Sequence, residues 1–125
     1  MIRKYLLSIV ILFTSCTKIE FNLDNTKWQQ STTSNFEEFS VYSITTIVFK
    51  DEYCGYRETI VNFTSSLEVY SKTYRNDFYY FYNDDIKRGE LYILDNLFNE
   101  IERIKFGILS NKLWTINFKN HYERI

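Results

Sequence analysis

Runs of β-branched and aromatic residues alternate along the chain with short polar breaks, and this pattern predicts strands joined by turns. The polar breaks fall at residues 51–52, 65–66, 76–77, 83–85 and 110–111. Residues 32–39 are polar and fit either a long loop or a short helix. The segments with strand character are residues 28–31, 41–50, 53–64, 67–74, 78–82, 90–94, 100–109, 113–118 and 122–125.

Short strands at this regular spacing predict an all-β fold. We expect an antiparallel up-and-down barrel of about eight strands, with a β-sandwich as the alternative. The composition agrees, because 19% of the residues are aromatic, and the chain contains neither proline nor alanine, the best helix former. An eight-stranded barrel has an interior that side chains can fill or that can hold one small ligand.

The amino-terminal residues have the layout of a bacterial export signal. Arg3 and Lys4 precede an apolar run at residues 5–13, which is too short for a bilayer span of about 20 residues. The run ends in Leu12-Phe13-Thr14-Ser15-Cys16, which resembles the lipobox of bacterial lipoproteins. The resemblance implies cleavage before Cys16 and attachment of acyl chains such as palmitate to that residue. An ordinary secretory signal or an uncleaved amphipathic start is the alternative.

We therefore divide the chain into a signal peptide at residues 1–15, a lipidated polar tether at residues 16–25 and a single barrel-like domain at residues 26–125. Thr17 follows the cysteine where an aspartate would favour the inner membrane. The outer membrane is the expected location, with the leaflet left open. The net charge of −1 includes two basic residues of the signal, so the mature part is more negative still and predicts no binding to nucleic acid.

Leu23-Asp24-Asn25-Thr26-Lys27-Trp28 opens the first expected strand and resembles the opening of lipocalin-like small bacterial lipoproteins. Thr26 stands where that family has glycine. The resemblance implies a barrel that can bind an apolar ligand, with Trp28 closing one end beneath an arginine from a late strand. Arg124 is the candidate for that arginine, besides Arg103.

The residues suited to catalysis are few. His121 is the one histidine, and we expect it at an exposed strand end. Cys54 is the one other cysteine, and a lipidated Cys16 cannot form a disulfide with it. We expect Cys54 to pack as a small buried hydrophobe on a strand. Adjacent acids occur in turn-like sequence, where solvation is their usual role. We therefore expect no enzyme activity, no metal and no cofactor.

Residues 78–82 form an unbroken aromatic run. In a strand, alternate rings point to opposite faces, so we expect Phe78, Tyr80 and Tyr82 inside and Tyr79 outside. Tyr79, with neighbouring Tyr70 or Tyr74, is the candidate binding surface, because tyrosine combines apolar area with a polar tip. Packing under a loop is the alternative role.

These features favour a non-enzymatic envelope lipoprotein that binds a small apolar ligand or a protein or glycan partner. The alternative is an inhibitor or interaction module directed at an envelope enzyme, of the lysozyme-inhibitor type. A continuous interior cavity would favour the small ligand. A filled barrel would favour interaction with another macromolecule.

Overall fold

The computed structural model describes residues 22–115 and 121–125. The expected signal peptide, Cys16 and most of the tether lie outside these residues, as does the end of the strand expected at residues 113–118. The described residues include no helix long and apolar enough to cross a membrane. The eight strands are β1 (Thr26–Asn35), β2 (Phe39–Phe49), β3 (Cys54–Ser65), β4 (Val69–Asn83), β5 (Arg88–Leu94), β6 (Glu100–Leu109), β7 (Lys112–Thr115) and β8 (His121–Arg124).

Each strand pairs antiparallel with the next, and β8 pairs with β1, so the sheet closes into an up-and-down barrel. The predicted all-β barrel of eight strands is thus confirmed. Tight polar turns favour this arrangement, because a two-residue turn can join only antiparallel neighbours. In the turn between β6 and β7, Ser110 and Asn111 both have positive φ, 55° and 61°, which is the hairpin geometry that matches strand twist.

β4 is a single strand of 15 residues, and the turn expected at Asn76 and Asp77 is wrong. The Asn76 side-chain amide donates to the Leu94 carbonyl at 3.1 Å, and Asp77 lies opposite Tyr56 in the β3–β4 pairing. At this level β4 leaves β5 and continues beside β3 alone. The two polar side chains therefore reach water or a carbonyl without interrupting the strand.

The loop or helix expected at residues 32–39 is also wrong. β1 runs on to Asn35 and β2 begins at Phe39, which leaves only residues 36–38 as a turn. Residues 30–35 include no apolar side chain, so the alternation that marks a strand is missing there.

Apolar side chains fill the closed part of the barrel. The ring centroid of Phe49 lies 5.5 Å from that of Phe78, 4.8 Å from that of Tyr80 and 5.8 Å from that of Phe106. These side chains occupy the space in which a small barrel could hold a ligand. The largest fully buried side chains are Trp28, Phe49, Phe78, Phe106, Ile47, Leu91, Ile93 and Leu113.

Leu23 plugs the end of the barrel at which the chain enters, which we call the closed end. Its side chain is buried, although the sequence pattern assigns it to the polar tether. Thr26 donates to the Leu23 carbonyl from its N–H at 3.1 Å and from its hydroxyl at 2.5 Å. The Trp28 indole in turn donates to the Thr26 hydroxyl at 2.9 Å. The Thr26 side chain thus links the plug to the tryptophan.

The seam between β1 and β8 is short. Within the described residues it consists of two residue pairs, Trp28 with Arg124 and Gln29 with Glu123. The Ile125 N–H adds one hydrogen bond to the Lys27 carbonyl at 3.0 Å. The Arg124 Cζ atom lies over the Trp28 ring, 6.0 Å from its centroid, at the outer limit of a cation–π contact. The structure thus brings together the two residues that the lipocalin-like resemblance pairs.

Four strands continue beyond the closed barrel, and we call this part the open sheet. β4 pairs with β5 only from Phe78 onward, so residues 69–77 of β4 form an edge beside β3. β2 and β3 run the whole height of the sheet, and β1 lies on the far side of β2. Residues 36–38 and 66–68 form the hairpin turns at its top, the open end.

Gly55 lies where the core needs a residue without a side chain. A Cβ atom there would lie 1.9 Å from the Val48 carbonyl oxygen and 2.8 Å from the Phe78 ring. The first of these contacts is with a backbone atom, which cannot move away by a change of side-chain rotamer. Gly107 is different, because a Cβ atom there would come no closer than 3.4 Å to the Lys87 carbonyl oxygen.

We expect Gly55→Ala to lower the free energy of unfolding by roughly 1–3 kcal/mol or more, because the core must shift to accept the methyl group. Gly107→Ala is the matched control and should leave stability unchanged or raise it by a few tenths of a kcal/mol or more, through the lower entropy of the unfolded chain. Denaturant unfolding of both variants measures the difference. Equal midpoints would contradict this account of Gly55.

Candidate functional site

Strand alternation divides the side chains of the open sheet between two faces. One face of the open sheet continues the face that carries the core side chains of the barrel, and we call it the inner face. The opposite face is the outer face. Side chains on the inner face lie in rows across β1, β2, β3 and β4. From the open end downward, the rows are Ser34–Val41–Phe63–Tyr70, Thr32–Ser43–Val61–Lys72 and Gln30–Thr45–Thr59–Tyr74.

Tyr70 and Tyr74 both belong to the inner face, and about half of each side chain is exposed. The Lys72 ammonium group lies between them in sequence and 5.0 Å from the Tyr74 ring centroid. Two tyrosines and a lysine at a sheet edge thus present apolar surface together with hydrogen-bond donors. Such surfaces are typical of contacts with other macromolecules.

An aromatic patch stands at the open end. The rings of Phe36 and Phe39 stack with centroids 4.6 Å apart, and Phe39 meets Phe63 at 5.0 Å. Leu67 in the neighbouring hairpin turn is 94% exposed, so this group is not a core. We define Phe36, Phe39, Phe63 and Leu67 as the tip patch.

Three carboxylates line the same groove as the tip patch, those of Glu37, Glu38 and Glu68. The patch therefore combines exposed apolar area with an acidic rim. The sequence pattern did not predict it, because residues 32–39 gave no strand signal and Phe39 could not be placed beside Phe63. The pairing of β2 with β3 brings them together.

A polar layer separates the inner face from the core below it. The Thr45 and Thr59 hydroxyls form a hydrogen bond of 3.1 Å. Arg57 on β3 reaches Glu102 on β6 at 3.3 Å, so this ion pair spans the barrel mouth past β4 and β5. Burial beside the pair raises the pKa of Tyr122. The open sheet therefore has a floor, and its inner face does not continue into a cavity.

Tyr79 lies on a different surface from Tyr70 and Tyr74. It is exposed, as expected, but odd-numbered residues of β4 point outward while Tyr70 and Tyr74 share the inner face. The Tyr79 ring stacks on Tyr92 with centroids 4.7 Å apart, and Arg103 lies over Tyr92 at 5.2 Å. The three tyrosines therefore do not form one patch, because an uninterrupted β4 fixes their faces.

Cys54 is not the buried core residue that we expected. It begins β3 on the outer face, opposite Tyr79, and is partly exposed. Its thiol lies 3.3 Å from the nearer carboxylate oxygen of Asp51. Partial burial, together with this carboxylate, raises the pKa of the thiol. A raised pKa disfavours the thiolate, which is the nucleophilic form.

His121 begins β8, on the outer face beside Trp114. Its Nε2 atom lies 3.0 Å from Glu123, and its ring centroid is 4.7 Å from that of Trp114. β1 and β2 separate the strand of His121 from the strand of Cys54. The two residues most suited to nucleophilic or acid–base chemistry are therefore held apart, and no group of three metal-binding side chains occurs within residues 22–115 and 121–125.

The fold defines the chain as a small up-and-down β-barrel with a filled interior. Comparison with protein-family models, with curated proteins and with solved structures finds no match.

Two tyrosines of the core lie close to acidic residues at the closed end. The Tyr80 hydroxyl donates to the Asp51 carbonyl at 2.6 Å, and burial holds the pKa of Tyr80 well above its usual range. Burial and the neighbouring Asp84 raise the pKa of Tyr82 to about 12. Both hydroxyls therefore stay protonated in the folded state where an unfolded tyrosine ionises.

We expect the free energy of unfolding to fall as the pH rises from about 10 to about 12. In this range the unfolded chain releases protons that Tyr80 and Tyr82 retain in the folded state, so rising pH favours unfolding. Urea unfolding midpoints across this range measure the slope, and Tyr82→Phe should flatten it. Tyr53→Phe, which removes an exposed hydroxyl, is the control; an equal change in both variants would contradict the assignment.

Proposed function

We propose that this chain is a non-enzymatic lipoprotein of the bacterial envelope that binds a protein partner with the inner face and tip patch of its open sheet. Cys16 carries the acyl chains and anchors the protein, and the outer membrane is the proposed location. The observation that carries the proposal is the contrast between a barrel interior filled with side chains and aromatic residues left exposed above it.

The filled interior favours an external partner over a small apolar ligand. The rings around Phe49 occupy the barrel centre, and the Arg57–Glu102 ion pair crosses its mouth. An apolar ligand would have to displace side chains that are already fully buried. A partner on the outside requires no such rearrangement.

The exposed residues match the chemistry of a protein interface. Aromatic side chains are enriched at such interfaces, and the tip patch with Tyr70 and Tyr74 supplies them on one end of the molecule. The acidic rim at Glu37, Glu38 and Glu68 favours a partner that carries basic residues around an apolar centre. A neutral glycan is less favoured, because its hydroxyls can hydrogen-bond to the three carboxylates but bring no positive charge to balance them.

The lipocalin-like relationship is part of this proposal. It is supported by the eight-stranded meander and by the position of Arg124 over Trp28. The proposed binding surface differs from the interior ligand site that the family implies. The barrel itself is present, but side chains fill its interior.

Inhibition of a cationic envelope enzyme of the lysozyme type is the second candidate. The hairpin turns at residues 36–38 and 66–68 stand side by side and carry both the exposed Leu67 and the acidic rim. Two adjacent projecting turns could enter the cleft of a basic enzyme. This candidate is a special case of the same binding surface.

The anchor is tested by Cys16→Ser. We expect the variant to carry no acyl chain and to keep residues 1–15, because the lipidated cysteine directs cleavage in lipoprotein precursors. Labelling cells with a fatty-acid analogue and measuring the mass of the purified protein distinguish the two forms. Cys54→Ser is the matched control and should be labelled like the wild type. Equal label in the wild type and in Cys16→Ser would refute lipidation at this site.

The binding surface is tested with a photo-reactive phenylalanine analogue placed at Tyr74 or at Tyr79 of the full-length lipoprotein in its own cells. The two positions lie on one strand and are similarly exposed, at 49% and 45%, but face opposite ways. We expect a covalent protein adduct from position 74 and none from position 79. Adducts from position 79 alone would move the site to the outer wall, and adducts from neither would contradict partner binding.

Lysozyme inhibition is tested with substitutions at Tyr74 and Tyr79. The full chain is added to lysozyme acting on bacterial cell walls, and Tyr74→Ala is compared with Tyr79→Ala. Inhibition that only Tyr74→Ala weakens would support the second candidate. No inhibition by the wild-type protein would remove it and leave the general proposal to the cross-linking experiment.

A further inference from the structure

Exposed apolar side chains surround the closed end of the barrel. Tyr53 lies between β2 and β3, Ile86 between β4 and β5, Leu109 at the end of β6 and Ile125 directly after β8. Their exposed fractions are 71%, 62%, 65% and 62%. Two strand connections and two strand ends at the closed end therefore each present one large apolar side chain to the surroundings, in addition to the plug formed by Leu23.

A groove joins two of these side chains into a continuous surface. Ile86 and Leu109 line it together with Trp114, and its volume is about 570 Å³. Gly107 lies between Arg88 and Trp114 in the sheet and has no side chain to fill the space. The groove is therefore open on the side of the barrel nearest the closed end.

The tether brings the lipid close to this end of the molecule. Leu23, which is buried, follows Cys16 by seven positions, a distance of at most about 25 Å for a fully extended chain. The 15 residues of β4 extend roughly 45–50 Å from the closed end to the open end. A bilayer that holds the acyl chains of Cys16 is thus within reach of the closed end, while the tip patch lies a strand length away.

The charged residues near these apolar side chains at the closed end include more acidic than basic ones. Lys50, Lys87, Lys112 and Arg124 lie near the apolar side chains, and so do the acidic residues Asp24, Asp51, Glu52, Asp84, Asp85 and Glu123. Electrostatic attraction to anionic lipid is therefore not the driving force. Long basic side chains can still reach headgroups while apolar neighbours enter the interface, and tyrosine favours this depth.

We propose that the closed end is a membrane-contact surface, in which Tyr53, Ile86, Leu109 and Ile125 enter the headgroup region of the bilayer that holds the lipid of Cys16. This rests on the proposed lipid anchor. The contact stands the barrel upright and directs the open sheet away from the membrane. The occupant is a lipid surface, because the length and attachment point of the tether place one there.

Spin labels on the lipidated full-length protein test the contact. In a Cys54→Ser background, single cysteines replace Ile86, Leu109, or Leu67 at the opposite end, and each labelled protein is reconstituted into vesicles of phosphatidylethanolamine and phosphatidylglycerol. Leu67 is the matched control, since it is an exposed apolar residue in a turn. Power saturation compares collisions with oxygen, which is enriched in lipid, and with a water-soluble nickel chelate. Circular dichroism of each variant confirms that it is folded.

We expect the ratio of oxygen to nickel collisions at positions 86 and 109 to exceed that at position 67 several-fold. Equal, water-like ratios at all three positions would overturn the proposal, and so would lipid-like ratios at all three, which would mean a barrel lying on its side. Replacing phosphatidylglycerol by phosphatidylcholine should leave the ratios unchanged. Mass measurement of the acyl chains on the same samples separates a failed anchor from a failed contact.

Discussion

Phe49 stands at the centre of the barrel, and its ring touches those of Phe78, Tyr80 and Phe106. This packing requires glycine at position 55, because a side chain there would meet both the Val48 backbone and the Phe78 ring. It also uses the interior volume that a barrel of this size could offer to a ligand. The proposed binding is for this reason directed to the surface of the barrel and not to its interior.

Strand alternation links the core to the proposed binding surface. The aromatic residues of β4 that face inward include Phe78 and Tyr80 at the core level, and Tyr74 and Tyr70 above it. The lower pair is buried because β5, β6 and β7 complete the barrel at that level. The upper pair is exposed because only β3 accompanies β4 there. The same alternation thus supplies both the buried aromatic residues and the exposed tyrosines. Whether a residue is buried depends on how far the neighbouring strands extend.

The fold class and the inward face of residues 78–82 could be predicted from the sequence, because aromatic and β-branched runs alternate clearly there. The boundaries at residues 32–39 and 76–77 could not, since polar residues extend these strands only where the sheet leaves the barrel and water reaches both faces. Because β4 runs unbroken through residues 76–77, Tyr79 lies on the opposite face from Tyr70 and Tyr74, although the pattern predicts it beside one of them. The tip patch depends on the register between β2 and β3, and Cys54 lies partly exposed beside Asp51, at the start of β3. Neither is encoded in local pattern.

The short seam between β1 and β8 has a consequence for the order in which the barrel assembles. Every other pairing joins consecutive strands, so it closes a short loop and can form locally. The pairing of Trp28 with Arg124 joins residues nearly a hundred positions apart and carries the largest loop-closure entropy in the fold. We therefore expect the meander to form first as an open, curved sheet and the barrel to close last, when Arg124 reaches the indole ring of Trp28.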